Sequence, residues 1–358
     1  MNALILLAVL LLLYALSVFI LRRFALGGLV CTRTFSKPVY FPGDEGEMIE
    51  TVRNDQPFII PWLRVESSIS PFIRLGRQEN LHVSDHSRYL SLFTLMPYQQ
   101  IRRVHRVRFL RRGEYDLGSA SLTAGDLLGL FEAHREQHMR VPALVYPQLL
   151  EEDALPPALS RLMDEAVAQR QLLTDPFLVR GIRPYQFGDP VRDIHWPASA
   201  RTGETHVRLH DYSAQSRLLV VLNMEIRADQ WGDRITEQEQ NTIEYGISLA
   251  ATLCLRALRQ GSAAGFAANM PVSDDEGCAF VPPANDAAAD ERLLCAMARL
   301  KIVRRLRFAT FLDSLHDCRD MNILVLSCCD STEIQSALQA LRSRNNQVFL
   351  YRIQGGDA

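Results

Sequence analysis

The sequence RLLVVL at residues 217–222 contains a run of large apolar residues that is typical of a buried strand. Two later segments, NILVL at 322–326 and QVFLYRI at 347–353, are similarly apolar. Strands that are apolar along their whole length are typical of parallel sheets, whose two faces are both covered by helices. The three segments therefore predict the strands of an α/β domain.

Helical patterns lie between these predicted strands. Apolar residues recur at intervals of three and four in one stripe, formed by Ile243, Ile247, Ala250, Leu253, Cys254 and Leu258. A second stripe, at Ile334, Leu338 and Leu341, is preceded by Asp330, with Glu333 three residues further on, as in a helix-capping sequence. The alternation of strands and helices predicts a doubly wound α/β domain over residues 217–358.

The preceding part of the chain has a different pattern. Residues 31–150 contain short alternating segments, such as Val65–Ile69 and Arg106–Leu110, separated by Gly, Pro, Asn and Asp. This pattern predicts an antiparallel β-sandwich domain. Residues 151–216 are predicted to form a third region, in which Pro157 opens an amphipathic helix and a dense polar and aromatic segment follows.

The N-terminal segment contains the uncharged sequence ALILLAVLLLLYALSVFIL at residues 3–21, followed by Arg22 and Arg23. This length of apolar chain is enough to cross a bilayer as one helix. A cleaved signal peptide would carry its positive charge before the apolar run. We therefore predict an uncleaved membrane anchor within residues 1–30, which contacts the membrane through residues 3–21.

Positive charges on one side of the predicted anchor suggest its orientation. They follow the apolar run and are contributed by Arg22, Arg23, Arg33 and Lys37. Because cytoplasmic flanks carry the excess of Lys and Arg, we expect a single-pass protein of the inner membrane with most of the chain in the cytoplasm. The seven cysteines are scattered and odd in number, which argues against a disulfide framework.

Composition argues against nucleic acid as a partner. The formal net charge is -2, with 22% charged residues, so there is no overall basic excess. The basic sequence RRVHRVRFLRR at 102–112 is predicted to be an exposed strand face. Contact with lipid headgroups is an alternative, and one aromatic residue, Phe109, is too few for base stacking.

The segment GIRPYQFGDPVRDIHWPASARTG at residues 181–203 carries most of the functional information. It resembles the signature of the bacterial family called domain of unknown function 58, roughly R-x-Y-x-x-G-D-x-x-R-x-I-H-W-K-x-S-A-R. The matching residues are Arg183, Tyr185, Gly188, Asp189, Arg192, Ile194, His195, Trp196, Ser199, Ala200 and Arg201. Pro197 replaces a residue that is usually basic. RRGEYDLGSASLTAGDLLGLF at 111–131 resembles a second family segment, with Leu127 and Leu128 replacing Pro and Phe.

The resemblance implies a membrane-anchored protein of unestablished activity with a C-terminal half similar to a von Willebrand A domain. It also implies a genetic neighbour, an AAA+ ATPase of the MoxR type. No catalytic residues follow from it. A von Willebrand A metal site requires D-x-S-x-S after the first strand, whereas this chain has Asn223, Glu225 and Arg227 at those positions. We therefore expect neither a metal ion nor a cofactor.

Two functional hypotheses remain for the signature segment. Asp189, His195 and Ser199 contain the residue types of a hydrolase triad, but Ser199 is not in a Gly-x-Ser-x-Gly turn. Arg, Tyr and Trp are the residue types that dominate protein-binding hot spots. We therefore predict a non-enzymatic scaffold or adaptor that docks a protein such as a MoxR-type ATPase, with a hydrolase using Asp189 and His195 as the alternative. The candidate docking residues are Arg183, Tyr185, Gly188, Asp189, Arg192, His195, Trp196 and Arg201.

Overall fold

The structure is a computed structural model. It describes residues 2–24, 26–76, 81–84, 88–117, 119–126, 131–170, 179–210, 216–227, 235–272 and 277–353. The chain divides into two compact units, residues 1–148 and residues 149–358.

The N-terminal unit begins with a helix, α1 (Asn2–Phe24), and is otherwise built from β-strands. The strands are β1 (Leu29–Phe35), β2 (Val39–Tyr40), β3 (Glu45–Asn54), β4 (Ile60–Ser68), β5 (Ile73–Leu75), β6 (Leu81–Ser84), β7 (Arg88–Leu95), β8 (Gln100–Phe109), β9 (Gly113–Asp116), β10 (Ser119–Gly125), β11 (Glu132–His138) and β12 (Pro142–Val145). They form sheets with the orders β1-β3-β8-β5, β11-β10-β4-β7-β6 and β2-β12-β9.

The two larger sheets share a hydrophobic core. Cys31 on β1 and Val52 on β3 belong to one buried cluster with Leu63, Phe93 and Leu122 on β4, β7 and β10. Apolar side chains of both sheets therefore meet between them, as in face-to-face sheet packing. This unit is consistent with the predicted β-sandwich.

The prediction for the N-terminal helix requires a correction. Residues 3–21 are helical within α1, but no helix formed by the described residues combines the length and apolarity needed to cross a membrane. The predicted transmembrane helix is therefore wrong. In the middle of α1 the Tyr14 hydroxyl donates a hydrogen bond to the carboxylate of Asp126, which follows β10. The apolar sequence predicted a helix but not this polar contact. The cytoplasmic location of the remaining chain stays a prediction.

The C-terminal unit combines a small hairpin with an α/β sheet. Its helices are α2 (Pro157–Arg170), α3 (Trp196–Thr202), α4 (Glu237–Arg259), α5 (Ala289–Arg299), α6 (Phe308–Ser314) and α7 (Thr332–Arg342). Its strands are β13 (Val179–Pro184), β14 (His206–His210), β15 (Arg217–Leu222), β16 (Ala263–Pro271), β17 (Cys278–Ala284), β18 (Asn322–Ser327) and β19 (Gln347–Arg352).

The main sheet has the order β17-β16-β15-β18-β19. Strands β16, β15, β18 and β19 are parallel, and β17 pairs antiparallel at one edge. Helix α4 begins with a capping box between Thr236 and Glu239. The N-cap of α7 is Ser331, whose hydroxyl accepts the Ile334 N–H, and not the predicted Asp330. The order reverses at β15, so its carboxyl end and that of β18 form the crevice where α/β proteins usually bind ligands.

Candidate functional site

The signature segment folds as a hairpin with a short insertion. Strands β13 and β14 pair antiparallel, with Arg183 opposite Val207. Between them lie a turn, a 3₁₀ helix at Val191–Asp193, and α3. Ile194 pairs with Val207 through an isolated bridge, and both side chains are buried. The insertion is therefore held against β14 by backbone pairing and by a small apolar contact.

Arg183 and Asp189 close the turn at the end of β13. Nη1 of Arg183 lies 2.7 Å from Oδ2 of Asp189, and Nη2 lies 2.6 Å from Oδ1. Oδ2 also accepts the N–H of Gln186 at 2.8 Å. The hydrogen bond from Arg183 and that from the Gln186 backbone lower the pKa of Asp189 below its ordinary value. Gly188 has φ +106°, a conformation that residues with a Cβ rarely adopt. We call residues 186–189, closed by this bidentate pair, the clamped turn.

His195 and Ser199 connect α3 to β14. His195 is the N-cap of α3, where its Nδ1 accepts the Ala198 N–H at 3.1 Å. The Ser199 hydroxyl donates to the His195 carbonyl at 3.1 Å and accepts the His206 N–H at 2.9 Å. The side chains that a triad would require are thus hydrogen-bonded to backbone groups, and Asp189 is bound to Arg183.

The remaining candidate residues face solvent. Trp196 is 68% exposed and Arg192 is 86% exposed. Tyr185 and Arg201 are also exposed. The structure therefore separates the eight predicted residues into two groups. Arg183, Gly188, Asp189 and His195 build the turn and the helix cap, whereas Tyr185, Arg192, Trp196 and Arg201 are available for contact.

Three further apolar residues of the hairpin are exposed, and the sequence pattern alone does not indicate this. Phe187, in the clamped turn, is fully exposed, and Val191 and Ile182 are exposed as well. Each of the three is adjacent to a Gly or Pro in the sequence, and the side chain of a turn residue can point in any direction. The exposure of five large apolar side chains on one short hairpin is unusual for a surface without a partner. We use "signature surface" for Tyr185, Phe187, Val191, Arg192, Trp196 and Arg201.

The carboxyl edge of the main sheet is occupied by its own polar groups. Nδ2 of Asn223 donates to Ser327 Oγ at 2.9 Å and to Cys329 Sγ at 3.5 Å, and Oδ1 accepts the Glu225 N–H at 2.9 Å. Oε1 of Glu225 accepts the N–H of Phe308 at 2.8 Å. Burial raises the pKa of Glu225 above its ordinary value. The side-chain oxygen of Asn223 and one carboxylate oxygen of Glu225 are therefore already hydrogen-bonded within the chain.

The residues described by the structure do not form a metal site. Among them, no group of three or more His, Cys, Asp or Glu side chains is arranged to hold an ion. The neighbouring thiols are also unsuited to nucleophilic chemistry, because burial raises the pKa of Cys328 to about 11 and that of Cys329 above its ordinary value. Both cysteines are therefore protonated thiols near neutral pH.

The N-terminal unit contains a buried ionic network that the sequence motifs did not predict. Nε and Nη2 of Arg33 lie 2.9 and 2.7 Å from Oε1 of Glu50, and the Tyr89 hydroxyl donates to Oε2 at 2.7 Å. Nε2 of His105 lies 2.8 Å from the Tyr89 oxygen. All four side chains are buried. Arg33 lies on the same face of β1 as the inward-facing Leu29 and Cys31, and this period of two is the signal that could have predicted its burial.

The network keeps Glu50 ionised inside the unit. Burial by itself would raise the pKa of Glu50, but the contact with His105, the charge of Arg33 and the Tyr89 hydrogen bond outweigh it and lower the pKa to about 2.

The arginines of the basic segment at 102–112 differ in their surroundings. Arg102, Arg106 and Arg108 are exposed along β8, whereas the guanidinium of Arg103 stacks 3.9 Å over the ring of Phe93.

Comparison with protein families gives a match that begins within the hairpin. Residues 181–349, from β13 to β19, match the model described as "Protein of unknown function DUF58". The matched region belongs to the DUF58 family. The signature surface lies at the start of this region. The family description assigns no activity to these residues.

Comparison with solved structures adds no argument about function. The similar structures include the CARDB domain of the PF1109 protein from Pyrococcus furiosus in complex with di-metal ions, with 12% identity over 33% of this chain and 93% of that chain, and a TM-score of 0.22. A second is native α2-macroglobulin from Escherichia coli, from domain MG7 to the C-terminus, with 17% identity over 43% of this chain and 22% of that chain and a TM-score of 0.25. A third is a non-cellulosomal cohesin from Archaeoglobus fulgidus, with 9% identity over 35% of this chain and 94% of that chain and a TM-score of 0.23. These TM-scores are too low to indicate a shared overall fold. No curated protein matches the sequence significantly.

Proposed function

We propose that this DUF58 protein is a non-enzymatic adaptor whose signature surface docks a protein partner. The observation that supports the proposal is the 68% exposure of Trp196 at the start of α3, on a segment whose backbone is fixed by His195 and Ser199. A large aromatic side chain held in solvent on an ordered backbone contributes contact area with little loss of conformational entropy on binding.

The arginines add specificity to this surface. Arg192 and Arg201 are exposed on the same hairpin as Trp196. A guanidinium forms bidentate hydrogen bonds with carboxylates and also stacks on aromatic rings, so it suits a protein surface that carries acidic side chains. The proposed partner is an AAA+ ATPase of the MoxR type, as the sequence resemblance implies. The predominantly parallel sheet of the C-terminal unit supports the further proposal of a von Willebrand A-like arrangement.

The contacts of Asp189 and His195 favour the adaptor over the alternative hydrolase. A general base requires a free nitrogen directed at the nucleophile. Nδ1 of His195 accepts a backbone N–H, and both oxygens of Asp189 bind Arg183. The Ser199 hydroxyl has backbone partners on both sides. These three residues have a structural role that explains their presence without catalysis.

A binding measurement with the purified chain and a purified MoxR-type ATPase tests the proposal. Trp196→Ala is expected to weaken binding by about 2 kcal/mol or more, roughly thirty-fold, while the melting temperature stays near that of the wild type. The matched control is Phe280→Ala, which removes another exposed aromatic ring, on β17, outside the hairpin. Wild-type affinity for both Trp196→Ala and Arg201→Ala would contradict the proposed docking surface.

A further inference from the structure

Phe187 is the most exposed large apolar side chain of the signature surface. It lies in the clamped turn between Gln186 and Gly188, and its side chain is fully exposed. Turns are usually polar, and their exposed positions are usually occupied by Gly, Asn, Asp or Ser. A phenylalanine in this position contributes nothing to the packing of the hairpin. Its apolar area is therefore available to another molecule.

The backbone beneath Phe187 is fixed by several contacts. Arg183 and Asp189 bind through two short hydrogen bonds, at 2.7 and 2.6 Å. The N–H of Gln186 binds the Asp189 carboxylate, and the N–H of Asp189 binds the Gln186 carbonyl at 3.0 Å. The positive φ of Gly188 completes the turn. Phe187 is thus presented by a preorganised turn, so less backbone freedom is lost when its ring is bound.

The charge of the hairpin indicates what surrounds the ring in a complex. Residues 179–210 contain more arginines than acidic residues: Arg180, Arg183, Arg192, Arg201 and Arg208 against Asp189, Asp193 and Glu204. The pairs Arg183–Asp189 and Arg192–Asp193 are each internally neutral, which leaves Arg180, Arg201 and Arg208 against Glu204 and thus a cationic excess on the rest of the hairpin. Complementary potentials favour a partner surface with carboxylates around the apolar contact.

We propose that Phe187 is the anchor of the docking surface and enters an apolar pocket, rimmed by carboxylates, on the partner ATPase. The clamped turn holds the ring in its binding position. Asp189 and Arg183 act as positioning residues and do not contact the partner. This inference rests on the proposed docking function and names the chemistry of the partner's site.

The test measures the affinity of the full chain for the purified MoxR-type ATPase. Phe187→Ala is expected to weaken binding at least thirty-fold with an unchanged melting temperature, and Phe280→Ala is expected to bind like the wild type. Replacing Phe187 by benzoyl-phenylalanine should give a photo-crosslink to the ATPase, whereas the same replacement at Phe280 should not. Rising salt concentration should weaken the binding of the wild type.

The positioning role is tested by exchanging the two charges of the clamp. Asp189→Asn should weaken binding several-fold. The double variant Arg183→Asp with Asp189→Arg should recover only part of the loss, because the ion pair is restored in reverse while the Gln186 N–H loses its side-chain acceptor. If the exchange stays as weak as Asp189→Asn while its melting temperature equals that of the wild type, the positioning role is overturned.

The outcomes distinguish this inference from the function on which it rests. Wild-type affinity for Phe187→Ala, together with a loss of binding for Trp196→Ala, overturns the anchor and leaves the docking proposal standing. Wild-type affinity for Phe187→Ala and Trp196→Ala, or no binding by the wild-type chain, overturns the anchor and the docking function together. Loss of binding in the two variants supports the anchor and the docking function.

Discussion

Arg183 binds Asp189 through two parallel hydrogen bonds across a turn that leaves the intervening Phe187 in solvent. This relationship assigns different roles to neighbouring residues of one signature segment. The charged pair is satisfied within the chain, so its members have little left to offer a partner. The aromatic residue has no role within the hairpin, and its position is fixed by the pair.

Gly188→Ala is expected to destabilise the clamped turn by about 1 kcal/mol, since alanine is strained at φ +106°. Space is not the reason, because a Cβ at Gly188 would meet nothing within 4 Å. Gly181→Ala is the matched control, because its Cβ also meets nothing within 4 Å and it has no positive φ. Hydrogen exchange of residues 186–189 measures the effect. Equal exchange in the two variants would show that φ does not constrain this turn.

His195→Ala should lower stability by about 1 kcal/mol, because α3 loses the side chain that caps it. His195→Asn should restore most of that stability, since asparagine is a good N-cap. Partner binding should follow the melting temperature in both variants. A hydrolase base would be lost in both, so an activity that disappears equally in the asparagine variant would favour catalysis over capping.

Glu50→Gln should destabilise the N-terminal unit by roughly 3–5 kcal/mol, because the charge of Arg33 stays buried without its partner. Glu47→Gln on the same strand is the control, since Glu47 is exposed. Thermal unfolding of the two variants gives the comparison. A loss below 1 kcal/mol for Glu50→Gln would mean that the network is dispensable for stability.

The lowered pKa of Glu50 predicts that the stability of the N-terminal unit decreases in acid. The pKa of Glu50 is about 2 in the folded chain, below its ordinary value of 4.5. Its contribution to stability is therefore fully present above about pH 4.5 and is lost as the pH falls towards 2. Melting temperatures measured over this range should converge for the wild type and Glu50→Gln at the acid end. Parallel curves would contradict the lowered pKa.

Divalent metal ions should not stabilise the C-terminal unit. At the carboxyl edge of the sheet, Oδ1 of Asn223 and Oε1 of Glu225 each accept a backbone N–H group. Mg²⁺ and Mn²⁺ prefer free oxygen ligands, so calorimetry should show no saturable heat, and the melting temperature should not change. A binding isotherm that is abolished by Glu225→Gln would contradict this prediction.

Local sequence was sufficient for the strands of the α/β sheet. The apolar segments at 217–222 and 322–326 form β15 and β18, which are buried because a strand that is covered on both faces cannot be polar at either. The segment at 347–353 contains β19, which lies at the edge of the sheet and is only partly buried. The helical stripe from Ile243 to Leu258 lies in α4 for the same local reason. The spacing of apolar residues along the chain was therefore enough to predict these strands and this helix.

The tertiary structure decided which charged residues find partners, because pairing depends on register between distant strands. Arg33 followed an apolar segment and was interpreted as a membrane-flanking charge, yet the register of β1 and β3 places it opposite Glu50. In the signature segment, too, the sequence did not specify which residues pair, although these residues are close together in the chain. Its residue types indicated a turn and a binding surface, but only the folded hairpin directs Asp189 towards Arg183 and leaves Phe187 and Trp196 in solvent, since side-chain direction in a turn follows from backbone angles that the sequence does not specify.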